Sequence, residues 1–182
     1  MSTSAVRYSP SYTVADYELW EGDWELWNGV AVCMSPSPTY ELQSTAARLL
    51  IEITTQLRKN AQCHCEVVAE LDWKINQSTI VRPDISVLCS GHPGDFISYA
   101  PSIIVEILSP STEHKDRTAK KDLYQQQGVR YYLIADPTRK LIEVNELIDG
   151  TYVDQPLNKG IVSLAIDSDC SAEFAALGVF VM

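Results

Sequence analysis

The stretch Ile103-Ile104-Val105-Glu106-Ile107-Leu108 decides the fold of this chain. Its apolar side chains do not alternate with polar ones, which is typical of a strand buried on both faces of a sheet. Glu106 is the exception, and an unpaired ionised carboxylate in such a place costs several kcal/mol. The sequence therefore predicts that a cation side chain, a proton or a metal ion accompanies Glu106.

A second predicted strand carries another acid. The run Val81-Arg82-Pro83-Asp84-Ile85-Ser86-Val87-Leu88 lies upstream and is rich in β-branched residues, with a Pro-Asp pair near its start. If this strand and the Glu106 strand are antiparallel neighbours, the start of one meets the end of the other. Asp84 and Glu106 then face one point. Their carboxylates, with the backbone carbonyl of Ile107, suit a hard divalent cation such as Mg²⁺ or Mn²⁺.

The helix predicted for residues 115–127 supplies a third part of the candidate site. Its side chains Asp116, Lys120 and Tyr124 are spaced i, i+4 and i+8 and share one face. Lys120 can therefore reach the two carboxylates, where an ammonium group stabilises negative charge that develops on a phosphate. A metal ion lowers the pKa of a bound water and polarises a phosphoryl oxygen. Together these groups indicate a metal-dependent hydrolase.

Each of these residues also has a purely structural interpretation. Asp84 follows a proline and can cap a turn, and Glu25 can be an ordinary surface residue of a hairpin. Glu106 can be a buried structural acid that is paired with Lys120 or Arg82. The joint occurrence of the acids and the lysine is more specific than any single member.

The remaining patterns predict an α/β sandwich around a mixed sheet, in a single domain over residues 1–182. Ser37 and Pro38 are expected as the N-cap and the first residue of the second helix. The predicted elements are a helix from Thr13 to Trp20, a hairpin over 24–34 that turns at Asn28-Gly29, a helix over 38–59, strands over about 64–75, 81–89 and 102–108, the helix over 115–127, and strands over about 130–135 and 140–147.

Composition narrows the classes of function. The net charge of −10 argues against non-specific coating of nucleic acid, although it leaves room for a local basic cleft. No apolar run approaches the roughly 20 residues needed to span a bilayer. The N-terminal segment lacks the basic and apolar regions of a signal peptide, so a cytoplasmic location is expected.

Five cysteines, an odd number, are expected to be reduced and mostly buried. Cys63-His64-Cys65 suggests a metal site at first sight, but on a strand it places both thiols on one face and the imidazole on the other. No second ligand pair stands at suitable spacing elsewhere in the sequence, so a zinc site is not expected.

Four motifs together resemble one known family, the Uma-type restriction endonucleases, long catalogued as a domain of unknown function. The resemblance covers about residues 13–150. The motifs are Trp24-Glu25-Leu26-x-x-Gly29 followed by Met34-Ser35-Pro36, the run Val81-Arg82-Pro83-Asp84-Ile85-Ser86-Val87, the run from Pro101 to Thr112, and Asp116-x-x-x-Lys120-x-x-x-Tyr124-x-x-x-Gly128-Val129-Arg130-x-Tyr132-x-Ile134-x-Asp136-Pro137.

This resemblance implies the PD-(D/E)XK nuclease fold, a restriction-endonuclease-like mixed central sheet flanked by helices. It implies that Asp84 and Glu106 are metal ligands. It also implies a migrated lysine, because Leu108 occupies the place of the usual lysine and Lys120 on the next helix replaces it. Glu25 corresponds to an additional N-terminal acid that reaches the metal directly or through water.

The chain departs from the family pattern at one place. Family members commonly carry a histidine early in the helix that follows the Ser-Pro segment. This chain has Tyr40-Glu41-Leu42 there, with Leu42 at the position of the histidine.

The leading hypothesis is a Mg²⁺- or Mn²⁺-dependent DNA endonuclease that hydrolyses a phosphodiester through a metal-activated water, with a homodimer favouring double-strand cleavage. A second hypothesis is a catalytically silent nuclease-fold protein that binds DNA or another protein, which the acidic net charge and Leu42 favour. A third is a hydrolase of another phosphate ester.

Overall fold

The elements alternate between strands and a few helices. The computed structural model describes residues 11–34 and 38–180. In chain order the elements are α1 (Val14–Tyr17), β1 (Trp24–Trp27), β2 (Val30–Cys33), α2 (Tyr40–Leu57), β3 (Glu66–Ala69), β4 (Trp73–Asn76), β5 (Thr79–Val81), β6 (Ile85–Leu88), β7 (Ile103–Ile107), α3 (Glu113–Lys115), a π-helical turn (Asp116–Lys120), α4 (Lys121–Gln126), β8 (Tyr131–Asp136), β9 (Leu141–Ile148), β10 (Thr151–Asp154), β11 (Ile161–Ala165), β12 (Ser171–Ala175) and a 3₁₀ turn (Ala176–Val179).

A six-stranded mixed sheet in the order β10-β9-β8-β7-β6-β3 forms the centre of the protein. β7 and β8 are parallel, as expected for a strand-helix-strand crossover, and the other neighbours are antiparallel. The predicted α/β fold with a mixed central sheet is therefore confirmed. In the described part of the chain, no helix combines the length and apolar composition that a membrane span requires.

The two faces of the central sheet pack against different layers. Ile103, Val105 and Ile107 of β7 belong to a core that α2 and the β11–β12 hairpin complete. Ile104, on the opposite face, belongs to a second core that includes Tyr124 of α4. Because side chains alternate along a strand, Glu106 points to the same side as Ile104. The apolar residues of β7 are thus buried on both sides, as the sequence predicts.

A smaller antiparallel sheet in the order β2-β1-β5-β4 was not predicted. The predicted hairpin is present as β1 and β2 and turns at Asn28-Gly29. The predicted continuous strands over 64–75 and 81–89 are wrong, because each is divided between the two sheets. Between β5 and β6 the chain passes through Arg82-Pro83-Asp84, where proline has no N–H to continue a ladder.

Helix boundaries also differ from the sequence-based expectations. α1 is capped by Thr13 as predicted, but it ends at Tyr17 instead of Trp20. α2 begins at Tyr40, with Thr39 as its N-cap, so the prediction of Pro38 as first helical residue is wrong. Ser37 lies outside the described residues.

The expectation of reduced cysteines is also wrong for four of the five. Cys63 is bonded to Cys170, and Cys65 is bonded to Cys89. The sequence separations of these pairs are 107 and 24 residues, so local spacing could not reveal them. Cys33 is exposed and is not bonded to another cysteine of the described residues.

The turn of the β1–β2 hairpin offers a stability test. Gly29 and Gly150 both stand second in a hairpin turn with positive φ, +82° and +80°. A Cβ at Gly29 would lie 3.3 Å from the Ser11 Cα and 2.6 Å from its Oγ, whereas a Cβ at Gly150 meets nothing within 4 Å. Gly29→Ala should therefore lower the free energy of unfolding by about 1–3 kcal/mol more than Gly150→Ala, as measured by urea denaturation. Equal losses in the two variants would show that the close approach of Ser11 does not restrict the side chain at position 29.

Candidate active site

The two central acids meet where β6 begins and β7 ends. β6 and β7 are antiparallel with Ile85 opposite Val105, which places Asp84 beside the end of β7. The Asp84 Oδ2 accepts a hydrogen bond of 2.6 Å from the backbone N–H of Ile107. Asp84, Glu106 and Ile107 line one cavity. The structure thus brings these predicted site residues together.

Lys120 joins them from the helical segment after β7. Its Nζ donates to the Glu106 Oε1 at 2.7 Å. The Tyr124 hydroxyl donates to the same oxygen, also at 2.7 Å. All three side chains are buried, and Glu106 is 2% exposed. The buried carboxylate therefore has the charged partner and the hydrogen bonds that its position requires.

A π-helical turn from Asp116 to Lys120 gives Lys120 its position. Such turns occur as short insertions within α-helices and are frequent at functional sites. The turn is fixed to the sheet, because the Tyr132 hydroxyl on β8 donates to the Asp116 carbonyl at 2.9 Å. The predicted regular helix over 115–127 is therefore α3, this turn and α4 in succession. The residues at the two ends of the turn, Asp116 and Lys120, line the same cavity as Asp84 and Glu106.

Glu25 reaches the site from β1 and is 0% exposed. Its Oε2 accepts from the Lys115 Nζ at 2.8 Å and from the Trp27 indole N–H at 3.0 Å. Its Oε1 accepts from the Arg82 backbone N–H at 3.1 Å and lies 3.6 Å from the Lys120 Nζ. Both oxygens of Glu25 thus contact protein donors, and the acid serves as a counter-ion for two lysines.

Asp116 contributes a fourth buried carboxylate and is 2% exposed. Its Oδ1 is 3.7 Å from the Lys120 Nζ and has no hydrogen-bond partner among the residues that the structure describes. A buried carboxylate oxygen without a donor is costly unless a cation or a proton satisfies it. The missing donor at the Asp116 Oδ1 therefore favours a cation at the site.

The carboxylate cluster, defined as Glu25, Asp84, Glu106 and Asp116, carries more charge than its lysines neutralise. Four carboxylates face two ammonium groups, those of Lys115 and Lys120, so the formal excess is two negative charges. One divalent cation would cancel this excess.

Burial is the main cause of the pKa shifts of three of the four acids. Burial raises the pKa of Asp84 to about 6, against the opposing effect of the Lys120 ammonium. Burial also raises the pKa of Glu106 well above its ordinary value, and Lys120 opposes this rise while Asp84 adds to it. Burial raises the pKa of Asp116 too, again opposed by Lys120. Three carboxylates thus hold protons more tightly than isolated acids do.

The pKa of Glu25, the acid that contacts both lysines, shifts in the opposite direction. Burial would raise the pKa of Glu25, but the ammonium groups of Lys120 and Lys115 outweigh it and lower the pKa to about 2. Burial would lower the pKa of Lys120, but Glu106 and Glu25 outweigh it and raise the pKa. Glu25 and Lys120 therefore stay charged.

The cavity in front of the cluster has a volume of about 470 Å³. One side is polar and includes Glu70, an exposed acid next to Asp84. The other side is an apolar wall from α2, formed by Leu42, Ala46, Ala47 and Leu50. Leu42, the residue in place of the family histidine, therefore belongs to the wall of this cavity.

The donor set fits a hard divalent cation. Asp84 and Glu106 converge from neighbouring strands, the buried Asp116 Oδ1 lacks a donor, and oxygen donors are what Mg²⁺ and Mn²⁺ prefer. Ligation by Asp84, Glu106, Glu25 and the Ile107 carbonyl stays a prediction.

Sequence reasoning did not assign two residues that the structure adds, Lys115 and Asp116. The i, i+4 spacing placed Asp116 on the face of Lys120, but no role in the site was assigned to it. No sequence motif marked Lys115, which is the last residue of α3. Two arginines near these segments are already paired with acids: Arg82 with Asp72 and Asp23, and Arg117 with Glu113 and Glu143.

Comparisons with known proteins identify the fold and the family. A putative nuclease of DUF820 from Anabaena variabilis ATCC 29413 has a similar fold, with a TM-score of 0.75 and 17% identity over 92% of this chain and 97% of that one. A DrdV–DNA complex matches 63% of this chain and 12% of its own at 15% identity, with a TM-score of 0.32, which is too low to support an argument.

One curated relative is the uncharacterized protein slr1290 of Synechocystis sp. (strain ATCC 27184 / PCC 6803 / Kazusa), 38% identical over 89 residues. The match covers 44% of this chain and 45% of that protein, so the chain spans less than half the length of this relative. The model of the Uma2 family, described as "Putative restriction endonuclease", matches residues 14–174. The match extends from α1 to β12 and includes every residue of the carboxylate cluster, and the chain therefore belongs to the Uma2 family.

Proposed function

We propose that this protein is a Mg²⁺- or Mn²⁺-dependent DNA endonuclease that hydrolyses phosphodiester bonds. The observation that carries the proposal is the excess of two negative charges in the carboxylate cluster, next to a cavity and in a nuclease family. A merely structural acid needs one counter-ion, whereas this cluster keeps a surplus of acid that suits a divalent cation.

One group of residues in this proposal would bind the cation. Asp84 and Glu106, with the Ile107 carbonyl, would hold the cation, and Asp116 offers a further oxygen beside them. The bound cation supplies a water of lowered pKa and polarises the phosphoryl oxygen. The Ile107 N–H fixes Asp84, since its hydrogen bond of 2.6 Å orients the carboxylate.

Lys120 stabilises charge in the reaction. Its ammonium group lies between Glu106 at 2.7 Å and Glu25 at 3.6 Å, and both acids keep it charged. A charged, immobilised donor is well suited to the negative charge that develops on a phosphate during attack. Glu25 holds Lys115 and Lys120 in place and thus contributes through the lysines.

DNA is the proposed substrate because of the family and because of the electrostatics. A phosphate cannot approach an acidic cluster in a chain of net charge −10 without a cation to bridge them. A cation-dependent contact with DNA is therefore expected. A homodimer would allow both strands to be cut in one encounter.

A catalytically silent DNA- or protein-binding module is the second candidate. The observation in its favour is Leu42, which places an apolar side chain in the cavity wall where the resemblance to the family leads us to expect a histidine. This candidate keeps the fold and a binding surface but predicts no cleavage. A phosphate ester other than DNA is a third possibility, which the same assays address.

Cleavage is the direct test. Purified protein with Mg²⁺ or Mn²⁺ should convert supercoiled plasmid to nicked or linear product, and EDTA should stop the reaction. Asp84→Asn should lower the rate at least about a hundredfold, because it weakens the hold on the cation that would stabilise transition-state charge, and loss of such stabilisation costs about 10²–10³ in kcat. Asp154→Asn, at an exposed acid on β10, is the control and should cleave like wild type. Intact plasmid, linear duplex and single-stranded DNA at every metal concentration would favour the silent module.

Cation binding can be measured separately from cleavage. Mn²⁺ or Mg²⁺ should stabilise wild type by about 2.7 kcal/mol at a hundredfold excess over Kd, since a ligand that binds only the folded state shifts unfolding. The stabilisation should be absent in Asp84→Asn and unchanged in Asp154→Asn, as measured by chemical denaturation and by calorimetry. A protein that neither cleaves DNA nor binds the cation would end the catalytic proposal.

Glu106→Gln distinguishes a functional acid from a structural one. The amide keeps an acceptor for Lys120 and Tyr124 but removes one of the surplus charges. In EDTA the free energy of unfolding should therefore stay the same or rise, by about 1 kcal/mol, and in Mg²⁺ or Mn²⁺ the variant should not cleave DNA. If Glu106 serves mainly as the counter-ion of Lys120, the variant should instead lose about 3–5 kcal/mol.

A further inference from the structure

Four cysteine sulfurs meet at the end of the β3–β6 strand pair that lies away from Asp84. The β3–β6 register pairs Glu66 with Leu88, so Cys65 and Cys89 are the next opposed residues beyond these strands. Cys63 lies on the same side of the chain as Cys65, and His64 between them is exposed. Cys170 arrives from the turn between β11 and β12. Residues distant in sequence are thus brought together by the fold.

The two disulfides are in contact with each other. The Sγ of Cys65 is 3.3 Å from the Sγ of Cys170, although each is bonded to another cysteine. The sulfurs of Cys63, Cys65 and Cys170 all lie within 4.8 Å of one another, and Cys89 is bonded to Cys65. We define these four residues as the cysteine cluster.

The distances among the sulfurs of Cys63, Cys65 and Cys170 suit three of the four corners of a four-thiolate zinc site. Zinc binds thiolates at about 2.3 Å with tetrahedral geometry, which separates the sulfurs by about 3.8 Å. The sulfurs of Cys65 and Cys170 are 3.3 Å apart and those of Cys63, Cys65 and Cys170 lie within 4.8 Å of one another, close to that separation. Cleavage of the two S–S bonds and rotation of the Cys89 side chain, which is bonded to Cys65, would bring the fourth sulfur to the same centre. Structural zinc sites take four protein ligands, and this cluster supplies four.

The turn that carries Cys170 is held independently of the disulfides. The Asp167 Oδ1 accepts from the backbone N–H of Cys170 at 2.7 Å, and the Asn60 side chain donates to the Asp169 carbonyl at 2.8 Å. The apolar residues of β11 and β12 also belong to the core beneath α2. Cys170 should therefore stay near Cys63 and Cys65 when the disulfides are reduced.

We propose that Cys63, Cys65, Cys89 and Cys170, when reduced, bind one zinc ion as a four-thiolate site. In a reducing compartment, such as the cytoplasm expected from the sequence, structural disulfides are rare and thiolates are the common metal ligands. The site is separate from the carboxylate cluster, and its soft sulfur donors select a different metal from the hard oxygens there.

A dithiol supplies the electrons and protons that reduce the two disulfides. Each disulfide takes up two electrons and two protons from a dithiol reductant, which leaves as its own disulfide. Zinc then displaces four protons from the four thiols. The reverse step needs a disulfide oxidant: each S–S bond that forms passes two electrons to it, the oxidant takes up two protons and leaves as a dithiol, and zinc is released.

The test compares zinc retention in reduced and oxidised protein. Protein reduced by a dithiol is incubated with zinc chloride, desalted without oxygen, and analysed for metal by mass spectrometry. The expected result is one zinc per chain when reduced and none when the disulfides are intact. Cys170→Ser and Cys89→Ser should lose the zinc. Cys33→Ser and Asp84→Asn should keep it, which excludes the fifth cysteine and the carboxylate cluster as its site.

A spectrum of unmutated protein covers the case in which the serine variants do not fold. Cobalt added to reduced wild type should give the thiolate-to-cobalt charge-transfer absorption of a tetrahedral site, and zinc should abolish it. Folded, reduced wild type that retains no zinc and lacks this absorption would overturn the proposal, as would full zinc retention in folded Cys170→Ser. Neither result bears on the endonuclease assays, which use other residues.

Discussion

The buried ion pair between Lys120 and Glu106 is the interaction on which the arrangement of the site depends. An acid inside β7 has to be compensated, and the compensation comes from the helical segment that connects β7 to its parallel neighbour β8. The π turn and the Tyr124 hydroxyl complete this link. The crossover thus does two things at once: it closes the second core over the sheet, and it delivers a cation to a carboxylate.

The lysines compensate the negative charge of the carboxylate cluster only in part. Lys120 contacts Glu106 at 2.7 Å but is shared with Glu25 and Asp116 at 3.6 and 3.7 Å, so one ammonium serves three acids. Core packing alone would favour an apolar residue in at least one of these places. The cluster is therefore better understood as a site that costs stability than as one that provides it, which is a common property of functional sites.

The sequence predicted what depends on local pattern and failed where distant segments meet. The apolar run around Glu106, the Asn28-Gly29 hairpin and the 3.6-residue spacing of Lys120 and Tyr124 each carry a local signal, and the mixed sheet follows from them. The division of residues 64–89 between two sheets was missed, because the polar breaks at Glu70-Leu71-Asp72 and Arg82-Pro83-Asp84 were included within continuous predicted strands. Cysteine pairing failed for a different reason, since Cys170 reaches Cys63 only after the β11–β12 hairpin packs beneath α2.

One short strand connects the two clusters of reactive groups. Asp84 immediately precedes β6 and Cys89 immediately follows it, so roughly 17 Å of buried strand separates them. β6 is paired on both sides, and its partner β3 is an edge strand whose neighbour Glu70 donates its backbone N–H to the Asp84 carbonyl at 3.2 Å. A link between Cys65 and Cys89, whether a disulfide or a shared metal, holds this edge strand in register with β6. The cysteine cluster thereby supports the backbone that positions Asp84, while the distance is too long for its charge to act strongly on the acids.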